Sequence, residues 1–156
     1  MKKFCILLLS VAAAACASTA PNVEITNKEI NRRFVQEVYA EHRLDRIPAY
    51  VHPDFVDRSA GAPPEAHGVD YVVKQAQGSF AMLPDVKMEI VHLVAEGDLV
   101  SVHWRATGNS ADKKPVDFQG ISLFRMQDGK IIESWDLVDR MSMLRQLGFT
   151  ITPPAK

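Results

Sequence analysis

The chain is poor in the groups that most often bind metals, nucleotides or nucleic acids. It has two cysteines, Cys5 and Cys16, both near its start, so the remaining sequence offers neither a disulfide nor a thiolate ligand set. Its histidines are scattered without H-x-x-x-H or Cys/His spacing, which predicts no metal. No phosphate loop, dinucleotide fingerprint or nucleophile elbow is present, so no cofactor is expected. The formal net charge is −1 with acids and bases interspersed, and no basic run points to nucleic acid. Internal repeats and low-complexity blocks are also missing.

What stands at the start is "MKKFCILLLSVAAAACAS", in which Lys2 and Lys3 precede an apolar run that ends in small residues. This reads as an export signal over residues 1–17, too short and too alanine-rich for a permanent membrane helix. "AAAC" followed by Ala17 resembles a bacterial lipobox, which would make Cys16 a lipidated N-terminus, although Ala13 stands where leucine is usual. A plain A-x-A cut before Ser18 is the other reading. The expected location is therefore the periplasm or a membrane surface, with a lipid anchor as the only membrane contact. Residues 18–26 read as a tether, 27–150 as one domain and 151–156 as a tail. About 130 residues suffice for a single core.

Within the domain, helices precede strands. Thr26 and Glu29 form a capping box, and Ile30, Phe34, Val35, Val38 and Tyr39 fall on one helical face. A short turn broken by Pro48 and Pro53 leads to an extended piece from Phe55 to Ser59. A Gly- and Pro-rich loop follows, and then a helix from Val69 to Leu83 that Pro84 stops. The rest alternates as strands: Val86–Ala95, Leu99–Gly108, Val116–Met126 and the last one after "QDG". A short helix from Arg140 closes the domain. Helices followed by a long antiparallel meander make the class α+β.

The last strand, "GKIIESWDLVDR", carries more carboxylates than a buried strand tolerates. Asp139 precedes "RMSMLRQLG" and suits a helix N-cap. Glu133 shares the Trp135 face and reads as a surface or interface acid. Asp136 shares a face with Ile132, Ser134 and Val138, where desolvation would oppose its ionisation. A three-residue "QDG" loop would set Gly120 opposite Asp136 and leave room for a ligand, or for His103 to reach across. On the preceding strand His103 and Arg105 share a face with Ser101 and Thr107, against Val100, Val102, Trp104 and Ala106. By alternation alone, the polar face is solvent and the apolar face is core.

The series "HPDFVDRS", "LPD", "AEGDLVSVHW" and "FQGISLFRMQDGKIIESWDLVDRMSMLRQLG" resembles the SnoaL-like branch of the NTF2-like superfamily, whose members include polyketide cyclases and proteins labelled ester cyclases. The resemblance spans about Lys28 to Gly148. It implies a cone: a bent antiparallel sheet wrapping helices around an apolar cavity. In that family an Asp of the last strand acts as acid or base, here Asp136, with a His partner, here His103. The last strand also resembles that of limonene-epoxide hydrolases. Their Arg and Asp on the third strand are replaced here by His103 and Arg105, which argues against epoxide hydrolysis.

The resemblance further implies that Asp57 and Ser59 position substrate, that Arg105 adds positive charge, and that Phe34, Tyr39, Phe80 and Phe118 form apolar walls. It places His103 and Arg105 in the pocket and a homodimer contact on the other sheet face, around Val100, Val102, Trp104 and Trp135. The expected partner is a small apolar molecule. The expected activity is cofactor-free acid–base catalysis, a cyclisation or isomerisation that starts with proton abstraction beside a carbonyl. The alternative is an exported, non-catalytic ligand-binding or interaction module on the same fold.

Overall fold

Asn22 starts the first helix. Its side-chain oxygen accepts from the backbone N–H groups of Glu24 (2.9 Å) and Ile25 (3.3 Å), satisfying donors that a helix start leaves open. α1 (Val23–Phe34) therefore begins before the Thr26 cap expected from sequence. The computed structural model describes residues 22–150 and Thr152. The leader, Cys16, the first tether residues and most of the tail lie outside the described residues. Among the described residues no helix is long and apolar enough to cross a membrane.

α1 runs straight into a π-helical turn over Val35–Ala40, where sequence periodicity predicts plain α-helix. A 3₁₀ turn and α2 (Ile47–Tyr50) follow, with Pro48 in the first turn where its missing N–H does no harm. Next come β1 (Val51–Asp57), α3 (Gly68–Met82), β2 (Lys87–Glu96), β3 (Leu99–Asn109), β4 (Pro115–Gln127), β5 (Lys130–Val138) and α4 (Arg140–Gln146). The strands form one curved sheet in the order β1-β5-β4-β3-β2. β2 to β5 are antiparallel neighbours, and β1 joins the β5 edge in parallel. This is the expected α+β class. Val38, Ile47, Val51, Val100, Val102 and Ile131 are fully buried where the helices meet the sheet.

Two local features set the register of the last hairpin. Asp128 and Gly129 both have positive φ (50° and 74°) and form a two-residue turn with Gln127 opposite Lys130. Asp-Gly suits a turn whose two central residues are both left-handed. A bulge then follows: Arg125 pairs with Glu133 but Met126 with Ile131, leaving Ile132 unpaired on β5. As a result Gly120 faces Val138, and Ser122 faces Asp136. The expected "QDG" loop with Gly120 opposite Asp136 is therefore corrected. Turn and bulge together shift the register by an even number of residues, so Asp136 keeps its inward face. A shift of one would have turned it outward.

Gly120 makes room for something else. A Cβ there would lie 2.4 Å from Cζ2 of Trp104. The gap is filled by the indole of the neighbouring strand, not by a ligand or by His103. On β3 the buried set is Val100, Val102, Trp104 and Ala106. His103 and Arg105 lie on the outer face, so simple alternation describes this strand and the resemblance-based placement is corrected. Three of the four residues expected at a dimer contact thus point inward. The outer face instead carries Ile121 (48% exposed), Leu137 (73% exposed), Leu123 and Trp135, the last covered by the Arg125 guanidinium 5.9 Å from its ring centre.

Gly120→Ala should lower unfolding stability by about 1–3 kcal/mol, the usual cost of forcing atoms into a packed site. Urea unfolding measures it. In a Trp104→Phe background, where the ring is smaller, the part of that cost due to the indole should vanish, leaving the part due to the Leu137 carbonyl oxygen, which a Cβ would meet at 2.8 Å. Additive losses would place the indole elsewhere.

Candidate active site

The helical layer does not fill the bowl of the sheet. Between them lies a cavity of about 660 Å³, bounded by α1 and the π turn, α3, the inner faces of β3 to β5, α4 and the loop after β1. Phe34, Tyr39, Phe80 and Phe118 line it, as expected from sequence, together with Trp104 and Phe124. The rings brace one another: Phe34 meets Tyr39 edge-on at 5.5 Å and Phe124 edge-on at 6.1 Å, and Tyr39 meets Phe80 at 6.2 Å. Packing of this kind fixes the wall, because each ring removes freedom from the next.

Polar groups collect on one side. Asp136 projects from near the C-terminal end of β5 among Ser122, Ser134 and Val138. The indole N–H of Trp104 donates to Oγ of Ser122 (3.0 Å). An indole nitrogen can only donate, so the Ser122 hydroxyl must use its own proton elsewhere, and it donates to Oδ1 of Asp136. Both Trp104 and Ser122 are buried. The backbone N–H of Asp136 donates to Oγ of Ser59 (2.9 Å), which ties the site to the loop after β1. Asp57 lies at the end of β1, in register with Ser134. Its carboxylate accepts from the Ser59 backbone N–H (2.8 Å) and from the Tyr71 hydroxyl (3.0 Å), and Nε2 of Gln75 donates to Tyr71 (2.6 Å).

Burial holds the Asp136 carboxyl above the usual carboxylate range. The Ser122 hydroxyl opposes that rise, and the negative charge of Asp57 adds to it. Burial likewise pushes the Tyr39 phenol up, and the charge of Asp136 pushes it further. A carboxylate without water around it is a stronger base than one in solution. An apolar cavity containing such a base can remove a weakly acidic proton from an apolar ligand.

His103 and Arg105 are not part of this cavity. The row that contains Asp136 runs through Ser122 and Val102, whereas His103 belongs to the next row, with Ile121 and Leu137, on the outer face. There His103 pairs with His92 (Nδ1 to Nδ1, 3.0 Å) and with Oε1 of Gln119 (2.9 Å). Arg105 forms a two-pronged pair with Asp117 at 2.8 and 2.5 Å. The arginine that does line the cavity is Arg140. Of the residues expected from sequence, the structure gathers Asp136, Asp57, Ser59 and the four aromatic walls, and leaves out His103, Arg105 and Gly120. Sequence reasoning missed Trp104, Ser122, Tyr71 and Arg140. The first two were signalled by strand alternation. Tyr71 carried no such signal, because it flanks the apolar stripe of α3.

The other two acids of the last strand are structural. Oδ1 of Asp139 accepts from the Ser142 N–H (2.9 Å) and caps α4. Glu133 is clamped between Arg58 (3.0 Å) and Arg125 (2.9 Å).

Comparison with known proteins agrees with this fold. Residues 29–147 match the family described as SnoaL-like polyketide cyclase. A solved structure from Jannaschia sp., provisionally named a SnoaL-like polyketide cyclase, is similar at a TM-score of 0.74 and 21% identity, covering 88% of this chain and 99% of that one. A protein from Bacillus cereus, provisionally named a polyketide cyclase, is similar at a TM-score of 0.70 and 29% identity, covering 79% and 80%. A SnoaL-like polyketide cyclase from Agrobacterium tumefaciens has a TM-score of 0.68 at 16% identity, covering 78% and 98%. No curated protein matches the chain.

The raised Asp136 has a consequence for stability. The folded protein holds this proton more tightly than the unfolded chain does. Between the ordinary Asp value of about 3.9 and the raised one, stability therefore falls as pH rises. The penalty is full above the raised value and absent below the ordinary one. Asp136→Asn escapes it and keeps an oxygen for Ser122. The variant should melt above wild type at about pH 8, with the advantage shrinking below about pH 4. A variant that melts lower across the whole range contradicts the burial argument.

Proposed function

The chain belongs to the SnoaL-like polyketide cyclase family, and from that premise we propose that it is a cofactor-free acid–base catalyst acting on a small apolar carbonyl compound. The observation that carries this reading is the Asp136 carboxyl, desolvated against a wall of aromatic and aliphatic side chains and held in place by Ser122. The cavity volume of about 660 Å³ lies within the range of small-molecule sites.

The Asp136 carboxylate takes a proton from the carbon beside the carbonyl. The C–H electron pair becomes the new C=C bond, and the carbonyl π pair moves to oxygen, giving an enolate. The carboxyl then returns its proton. In an isomerisation the proton goes to another carbon of the enolate. In an aldol cyclisation the enolate carbon attacks a second carbonyl, and the proton goes to the alkoxide that forms. No outside reductant, oxidant or water is consumed. Ser122, oriented by Trp104, keeps the carboxyl in one rotamer. Ser59 holds the backbone beneath it. Asp57, through Ser59 and Tyr71, fixes the loop and α3 at the cavity edge.

One observation favours a second reading. The histidine expected to partner Asp136 lies on the opposite sheet face. A cavity without that partner would also suit a module that binds an apolar ligand without changing it.

Asp136→Asn separates the two readings once apolar carbonyl compounds have been screened for turnover. The change keeps shape and polarity and removes the base. Turnover should fall by about a hundred- to ten-thousand-fold while ligand affinity stays near wild type. Normal turnover would remove Asp136 from the chemistry. Ligand binding with no turnover in wild type would favour the binding module.

A further inference from the structure

Three tyrosines are described. Two have polar partners: Tyr71 donates to Asp57 and accepts from Gln75, and Tyr50 interacts with Glu37 and Arg46. The third, Tyr39, has none among the described residues, and the influences on its phenol are burial and the charge of Asp136. Yet it lines the cavity. The residue is half-buried and its hydroxyl is left open to whatever the cavity holds, whereas buried tyrosine hydroxyls usually find a partner within the protein.

Its placement is also unusual. Tyr39 sits in the π-helical turn that interrupts the first helix, and such turns occur often at functional sites. Its ring is held edge-on by Phe34 at 5.5 Å and by Phe80 at 6.2 Å, so the hydroxyl has little freedom to look elsewhere. Oδ1 of Asp136 already accepts from Ser122. Tyr39 enters from the helical layer and Asp136 from the sheet, and each faces the same apolar volume.

We propose that Tyr39 is the hydrogen-bond donor that receives the carbonyl oxygen of the ligand, while Asp136 faces the carbon beside it. The inference rests on the apolar carbonyl reading of the cavity, and His103, on the outer face, cannot take this part. The phenol keeps its proton and only donates. As Asp136 removes the carbon-bound proton, charge builds on the oxygen and the hydrogen bond strengthens. A donor already in place and shielded from water stabilises such charge most effectively. The ligand class narrows accordingly, to an apolar body with a carbonyl at the edge next to its acidic carbon. A hydrocarbon of the same shape would leave Tyr39 unpaired.

A pair of isosteres tests this: 2-acetylnaphthalene and 2-isopropenylnaphthalene, which differ by C=O against C=CH₂. Wild type should prefer the ketone by about threefold to tenfold, the range for one net hydrogen bond. Tyr39→Phe should erase that preference and leave the hydrocarbon's affinity unchanged, whereas Tyr71→Phe and Asp136→Asn should keep it. With a ¹³C-labelled carbonyl, the bound ketone's resonance should move downfield in wild type and return in Tyr39→Phe. If wild type shows no downfield shift, or Tyr39→Phe retains both preference and shift, Tyr39 is not the donor and the Asp136 reading stands unaffected. If Tyr71→Phe abolishes the preference instead, the donor has been misassigned. If neither compound binds wild type, the apolar carbonyl reading fails and this inference fails with it.

Discussion

A hydrogen-bond chain across three strands governs the rest of the site. Trp104 on β3 donates to Ser122 on β4, which donates to Asp136 on β5. Its direction is fixed at the first step, because the indole cannot accept. Ser122 and Asp136 share one inward row and Trp104 reaches across from the next inward row, over Gly120, so the chain exists only if the whole register is right. The two-residue turn at Asp128–Gly129, the bulge that leaves Ile132 unpaired and the missing side chain at Gly120 are the local devices that bring these residues together. Buried polar networks are favourable only when each member is satisfied, and here the last member is a carboxyl that the ligand side of the cavity also reaches.

That arrangement is poor for stability and useful for chemistry. A fold optimised only for packing would fill the cavity and put an apolar residue at 136. Instead the protein keeps a desolvated acid in a space of about 660 Å³. Residues that break the local rules of folding tend to mark function. Asp136 breaks the rule against buried charge, and Tyr39 keeps an unpartnered hydroxyl on the cavity wall. The surrounding acids obey the rules: Asp139 caps a helix, and Glu133 is clamped by two arginines.

Much of this was legible in the sequence, for physical reasons. Strand alternation and helix periodicity repeat over many residues, so the α+β class and the order of elements follow from them. Asp136 was legible because an acid among apolar or small neighbours is conspicuous. The aromatic walls were legible because they lie on the apolar stripes. The family resemblance points His103 inward against strand alternation, whereas four apolar residues, Val100, Val102, Trp104 and Ala106, require the inner face and turn His103 out. Gly120 was misread because register depends on turn geometry and on a bulge, and no composition signal marks a single extra residue such as Ile132. The hydroxyl of Tyr39 was hidden because a π turn changes helix phase without changing periodicity enough to notice.

The central claim is that Asp136 is a desolvated base aimed into an apolar cavity. A ¹³C NMR titration of the protein labelled at the aspartate side-chain carboxyl carbon, with the resonance assigned by its loss in Asp136→Asn, tests this without any substrate. The account predicts that this carboxyl titrates above the ordinary aspartate range, and higher still in Ser122→Ala, which removes the hydroxyl that favours its charged form. A titration at or below the ordinary aspartate value in wild type would contradict it.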